Sequence, residues 1–205
     1  MPNATFARLT EHQDILSIKE DREGHIWVGT RGGGLIQFKP RAVELLAVEP
    51  IFPLTAMRSL CQDTSGYLWV VGQNGGVWWS QGGGWTFLSA NHGWSFLNSQ
   101  CVTADPQGGV WIGTQGKGLH HYNLQNRAVT TSLCQTNGLA GDFVSALLTP
   151  PAGEVWIGTE SHDTHQAALQ CRQAEQFRTF PLSSGSGPVV ALAADSAGDC
   201  WAATS

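Results

Sequence analysis

The sequence is poor in charge, and poorest in positive charge. Charged residues make up 13% of it, with 11 Lys and Arg against 16 Asp and Glu, a formal net charge of −5. A protein that grips a phosphate backbone needs a basic stripe to release counterions, so nucleic acid is not an expected partner. Long apolar runs are missing as well. Glycines and polar residues interrupt each one before the ~18 to 20 residues that a membrane-spanning helix requires, so no membrane contact is expected of this segment. The opening residues, Met1 to Arg8, lack the charged-then-apolar order of a secretory signal peptide. The five cysteines, Cys61, Cys101, Cys134, Cys171 and Cys200, are odd in number and show no C-x-x-C spacing. Neither a zinc site nor a disulfide framework follows. Cys61, Cys101 and Cys200 fall inside strand patterns, where small buried thiols are expected. No nucleophile motif, phosphate loop or paired carboxylate constellation stands out, and Gly32-Gly33-Gly34 leads into a strand instead of a helix. No cofactor and no catalytic residue are expected.

What is abundant is glycine, 25 residues, and tryptophan, nine. With 41% hydrophobic residues in 205, the chain can bury a sizeable core in a turn-rich, sheet-rich fold. The tryptophans are periodic. Trp27, Trp69, Trp111, Trp156 and Trp201 follow one another at spacings of 42, 42, 45 and 45 residues, and the rest of the pattern registers on them. Three positions before each stands a glycine, Gly24, Gly66, Gly108, Gly153 or Gly198. Six before stands Asp21, Asp63, Asp105 or Asp195, with Pro150 once in its place. Nine before stands Ile18, Leu60, Val102, Leu147 or Leu192.

Each unit reads as a β-hairpin. An alternating strand such as Ile15 to Ile18 runs into Asp-x-x-Gly, which turns the chain into a second strand such as Ile26-Trp27-Val28. The Asp can bond the backbone of its own turn, and the glycine can take positive φ. Tryptophan supplies the largest apolar surface for packing one sheet on the next. Gly29, Gly113 and Gly158, two positions after the tryptophan, leave room for a neighbouring unit. A glycine cluster then leads to a third strand, and a fourth is expected at Val43 to Val48, Trp85 to Leu88, Ala128 to Leu133 and Phe177 to Phe180. Four short strands per ~42 residues is the arithmetic of a β-propeller blade; the competing parallel β-helix has a much shorter repeat.

The expected fold is therefore all-β, a β-propeller of about four and a half blades, each a four-stranded antiparallel sheet. A single segment, 1–205, carries blade motifs at about 10–53, 54–97, 98–140, 141–185 and a truncated 186–205. Its last unit stops at a second strand, while Ala4 to Leu9 looks like a fourth. Those two cannot close a ring by simple pairing, so a partial ring, or a fragment of a larger propeller, is expected.

The string Ile15 to Leu35 closely resembles the two-component regulator propeller repeat, as do Val102 to Leu119 and Gly138 to Thr159 with its Asn137-Gly138-Leu139 lead-in. The resemblance implies an extracytoplasmic sensor propeller of about seven blades, fused to a membrane-bound hybrid histidine kinase and reading glycan fragments. This chain would then be at most the input part, non-catalytic, with an oligosaccharide or other small ligand, a protein or further blades as partners.

Propellers bind where second-to-third-strand loops and blade-to-blade connections gather. The candidate ligand-binding residues are Arg31, Gln73, Asn74, Gln115, Lys117, Glu160 and His162, with Trp94 from the second class of loop. His12, Asn91, His92, Asn137 and Asp142 share that second class. Of Trp78, Trp79, Trp85 and Trp94, two are expected in the core, and Trp94 is expected to be exposed as a platform for a sugar face. His162, Asp163 and His165 fall short of a metal cluster, and His165 with Glu160 makes an unconvincing acid–base pair. The competing functions are a protein-binding scaffold and a propeller lyase or hydrolase.

Overall fold

The computed structural model describes residues 15–20, 22, 26–30, 34–38, 57–81, 84–161, 166–183, 185–195 and 197–205. Two compact units divide the chain, Met1–Ala47 and Val48–Ser205. The first contains one antiparallel sheet, ordered β1 (Ile15–Glu20), β2 (Ile26–Thr30), β3 (Gly34–Phe38). Trp27 lies in β2, opposite Lys19. Asp21, Gly24, Arg31, the expected strands at Val43 to Val48 and Ala4 to Leu9, and His12, His162, Asp163 and His165 lie outside the described residues.

The second unit is built of successive antiparallel sheets, each in chain order. The first holds β4 (Met57–Gln62), β5 (Leu68–Gly72), β6 (Val77–Ser80) and β7 (Thr86–Phe87). Next come β8 (Ser99–Ala104), β9 (Val110–Thr114), β10 (Leu119–Asn123) and β11 (Ala128–Leu133). They are followed by β12 (Phe143–Leu148), β13 (Val155–Glu160), β14 (Ala167–Gln173) and β15 (Gln176–Phe180), then by the hairpin β16 (Val189–Ala194) and β17 (Cys200–Thr204). The leading strands β4, β8, β12 and β16 lie side by side. This is the all-β, four-stranded blade architecture of a β-propeller, with its sheets left unclosed.

The recurrent aspartate has two tasks. One oxygen of Asp63 accepts from the Ser65 and Tyr67 amides, both at 2.9 Å, and the other accepts from the Trp69 indole at 2.8 Å. Asp105 holds the Trp111 indole at 3.1 Å, and Asp195 holds that of Trp201 at 3.1 Å. One side chain therefore closes the hairpin and fixes the rotation of the ring that packs on the next blade. Gly66, Gly108, Gly153 and Gly198 take φ between 84° and 112°, in the left-handed region that the turn demands. Where Pro150 replaces the aspartate, its carbonyl still accepts from Gly153 at 2.9 Å, and the Trp156 indole turns to Glu154 at 3.4 Å.

Blades are joined by one repeated contact. Val102, nine positions before Trp111, packs in the cluster built on Trp69 of the preceding blade. Leu147 likewise joins the cluster of Trp111, and Leu192 that of Trp156. The glycine two positions after Trp111 and after Trp156 makes this approach feasible. A Cβ on Gly113 would stand 2.6 Å from Cys101 Sγ and from Val144 Cγ1, and one on Gly158 would stand 2.7 Å from Val189 Cβ. The exceptional Val71 is followed in the next blade by Ser99, where Val144 and Val189 stand in the later ones. Polar ties reinforce the seam: the Ser59 hydroxyl donates to the Val102 carbonyl at 3.2 Å and accepts from its amide at 3.0 Å. The five cysteines are free thiols. Cys101 is buried as expected and its thiol is pushed up to about 12 by burial, whereas Cys61 and Cys200 are half-buried.

Two stability predictions follow from these contacts. Asp63→Ala leaves two turn amides and a buried indole without their acceptor and should cost about 1–3 kcal/mol, with Asp63→Asn recovering part, measured as the shift in urea midpoint. Gly113→Ala should destabilise by about 1–3 kcal/mol through overpacking, and Val144→Ala in the same chain should restore part of the loss; additive losses in the double variant would contradict the seam.

Candidate functional site

The two classes of loop meet at one end of the blades. The Ser99 amide donates to the Gly75 carbonyl at 3.1 Å and the Gln115 amide to the Asn98 carbonyl at 2.9 Å. The amides of Gly116 and Gly118 both donate to the Asp142 carbonyl, at 3.0 and 2.9 Å. Among the described residues, the second-to-third-strand loops at 73–76 and 115–118 are thus each pinned to a residue at or beside a blade-to-blade connection, and together they form a rim.

The leading strands add a feature that sequence reasoning missed. In every one of them the ladder slips by one residue at the same place, between Ile15 and Ser17, Met57 and Ser59, Ser99 and Cys101, Val144 and Ala146, and Val189 and Ala191. The bulged residues, eleven before each tryptophan, are Leu16, Arg58, Gln100, Ser145 and Val190. A bulge takes its residue out of the ladder's alternation and re-aims the side chain. The signal was present in the sequence as a polar residue in three successive leading strands, Arg58, Gln100 and Ser145, at a position whose chemistry changes while the surrounding framework repeats.

Two neighbouring bulge residues are joined. Arg58 Nη1 donates to Gln100 Oε1, and Gln100 Nε2 donates to Gln115 Oε1 and to the Asn98 carbonyl, both at 3.4 Å. Gln100 is buried, whereas Arg58 and Gln115 are exposed. Among the described residues no carboxylate pairs with Arg58. Ser145, half-buried, donates to the Gly158 carbonyl at 3.3 Å.

The remaining expected residues are distributed around this rim. Gln73 and Lys117 are exposed, and Asn74 is exposed but serves its own turn, accepting from the Gly76 amide at 3.1 Å. Glu160 is half-buried at the end of β13. Asp142 accepts from the Gln135 amide at 2.8 Å, and Asn137 accepts from the Cys134 amide at 2.6 Å. The structure brings Gln115 into a network; it gives no direct side-chain link from that network to Gln73, Asn74 or Lys117.

Trp94 is corrected by the structure. It is not an exposed platform but 3% exposed, in edge contact with Phe96, His120 and Tyr122 at 5.0, 5.8 and 6.0 Å between ring centroids. The physical reason is its place after the 3₁₀ turn Ala90–His92, where Gly93 takes φ 74° and turns the next side chain inward; Gly138 and Leu139 repeat this after Gln135–Asn137. Trp78 is also buried, while Trp79 and Trp85 are half-buried.

His120 lies under Phe96, stacked at 3.7 Å, with Nδ1 at 2.9 Å from the Ser132 hydroxyl and Nε2 buried without a partner. Burial pushes its imidazole down to about 4, against a smaller upward pull from the Lys117 backbone. His121, on the opposite face, sits 3.2 Å from Asp105 and tilts against Trp111. Among the described residues no group of three or more His, Cys, Asp or Glu is placed to hold a metal ion, and no helix is long and apolar enough to cross a membrane.

Residues 11–32 match the sequence family described as two component regulator propeller. No curated protein matches in sequence. Among solved structures, this propeller segment is similar to the extracellular domain named for the hybrid two component system BT3049 from B. thetaiotaomicron, at TM-score 0.62 and 20% identity over 92% of the segment and 26% of that chain. It is similar to the corresponding domain of BT4673 at TM-score 0.63 and 17% identity, over 95% of the segment and 29% of that chain. The segment thus spans about a quarter of the length of those domains. It is also similar to virginiamycin B lyase from Staphylococcus aureus, at TM-score 0.55 and 10% identity over 92% of the segment and 62% of the enzyme. At these identities the likeness is one of fold.

The buried imidazole sets a pH prediction. Between about pH 6.5, where an unfolded histidine titrates, and about 4, the unfolded chain binds a proton that folded His120 does not. Stability should therefore fall as the solution is acidified through that window. Urea midpoints at pH 7.0, 5.5 and 4.5 should decline less steeply in His120→Phe than in the parent; parallel declines would show that His120 does not carry the effect.

Proposed function

We propose that this propeller segment is the non-catalytic, ligand-reading part of an extracytoplasmic signal receptor, with oligosaccharides as the first ligand class. The observation that carries the reading is the bulge recurring at one position of every leading strand. A constant framework there presents a changing set of side chains, Arg58, Gln100, Ser145 and Val190, beside the loops that close the rim. That is how a repeat scaffold specifies a ligand without altering its core. The matched repeat at residues 11–32 and the fold likeness to extracellular domains of two component systems support the receptor context.

The non-catalytic reading rests on the chemistry of the rim. Its linked groups are a guanidinium and two amides, and the Asp142 carboxylate is engaged by the Gln135 backbone. Amides bind and orient a ligand and do not serve as a general acid–base pair.

The test is a thermal-shift screen of the chain against a broad panel of oligosaccharides. The expected result is a reproducible rise in melting temperature with a subset of them, since a ligand that binds only the folded state stabilises it by mass action. Silence across the panel, together with capture of a defined protein partner, would favour a scaffold instead.

A further inference from the structure

We infer that the Arg58–Gln100–Gln115 rim binds an oxyanion, a carboxylate or sulfate group carried by the ligand; this rests on reading the chain as a ligand-binding module. The argument is one of hydrogen-bond direction. A guanidinium has donors and no acceptor, so Arg58 fixes the Gln100 side chain with its oxygen toward β4. The Gln100 NH₂ must then point the other way, where it donates to Gln115 Oε1 and to the Asn98 carbonyl. Each acceptor along the relay is occupied by the donor before it. What remains at the two ends is chiefly donors, the other N–H groups of Arg58 at one end and the NH₂ of Gln115 at the other, beside the second lone pair of the Gln115 oxygen.

Position and burial make this a prepared site. Gln100 is buried and anchored at both ends of its amide, so the two exposed ends are held at a fixed separation instead of sampling rotamers. Arg58 is aimed by a backbone bulge and, among the described residues, is neutralised by no carboxylate. A planar guanidinium beside a second donor suits the two oxygens of a carboxylate or sulfate, and binding such a group fills donors that a neutral hydroxyl cannot fill as strongly. Asp142, an acidic side chain of the same rim, accepts from the Gln135 backbone amide.

The test uses the whole chain in isothermal titration with three probes: a disaccharide bearing a uronic acid, the neutral disaccharide of the same linkage, and inorganic sulfate. The uronic-acid disaccharide should bind about tenfold or more tightly than its neutral counterpart, and its affinity should fall as salt is raised from about 20 to about 200 mM. Arg58→Met should remove that preference, Arg58→Lys should keep part of it, and Gln115→Met should weaken binding of the acidic disaccharide. Binding of sulfate alone, lost in Arg58→Met, would also support the site and would show that the anionic group suffices without a sugar. Equal affinity for the acidic and neutral disaccharides, or acidic binding indifferent to Arg58→Met, overturns the inference while leaving a ligand-binding module intact. No heat from any of the three probes at millimolar concentration overturns it too, and the oligosaccharide screen then decides the broader reading separately.

Discussion

Each blade depends on its successor. A single four-stranded sheet has one face that its own strands cannot cover, and here that face is centred on a tryptophan whose rotation is fixed by an aspartate in the preceding turn. The aliphatic residue nine positions before the next tryptophan supplies the cover. Exposure follows this rule along the second unit: Trp69 is 0% exposed, Trp111 4%, and Trp201, in the β16–β17 hairpin, 66%. Leu60, at the other end of the unit, is 72% exposed. Stability in such an array is distributed over nearest-neighbour seams and not concentrated in one central core.

The seams leave the rim free to vary. Asp, Gly and Trp repeat because turn closure, positive φ and interblade packing recur unchanged from blade to blade. The bulge position lies near the start of the leading strand yet outside its ladder, so neither the hairpin nor the seam dictates its side chain. Arg, Gln, Ser and Val can follow one another there without disturbing the fold. Framework and recognition surface are thus separated by a single backbone irregularity.

The fold was legible because its determinants are periodic. The tryptophan register alone places the second strands, and the weaker expectations for fourth strands at Ala128 to Leu133 and Phe177 to Phe180 coincide with β11 and all but the first residue of β15. The rim was less so. Trp94 looks exposed when judged by its neighbours Gly93 and Ser95, yet His92-Gly93-Trp94 stands in the register of Asn137-Gly138-Leu139, where the apolar residue is core. Comparing the two lead-ins position by position would have placed it inside. Arg58 and Gln100 escaped for a different reason: a strand pattern assigns alternate faces by period two, and a bulge breaks that period without any glycine or proline to announce it.

The seam between blades also has a directional memory. Val71 is matched by Ser99, Gly113 by Val144 and Gly158 by Val189, large against small in one pair and small against large in the others. Shuffling the units would set valine against valine or leave glycine facing serine, producing a collision in the first case and a void in the second. Although the blades share one design, their volumes work like a keyed joint, which sets the seam after Val71 apart from those after Gly113 and Gly158.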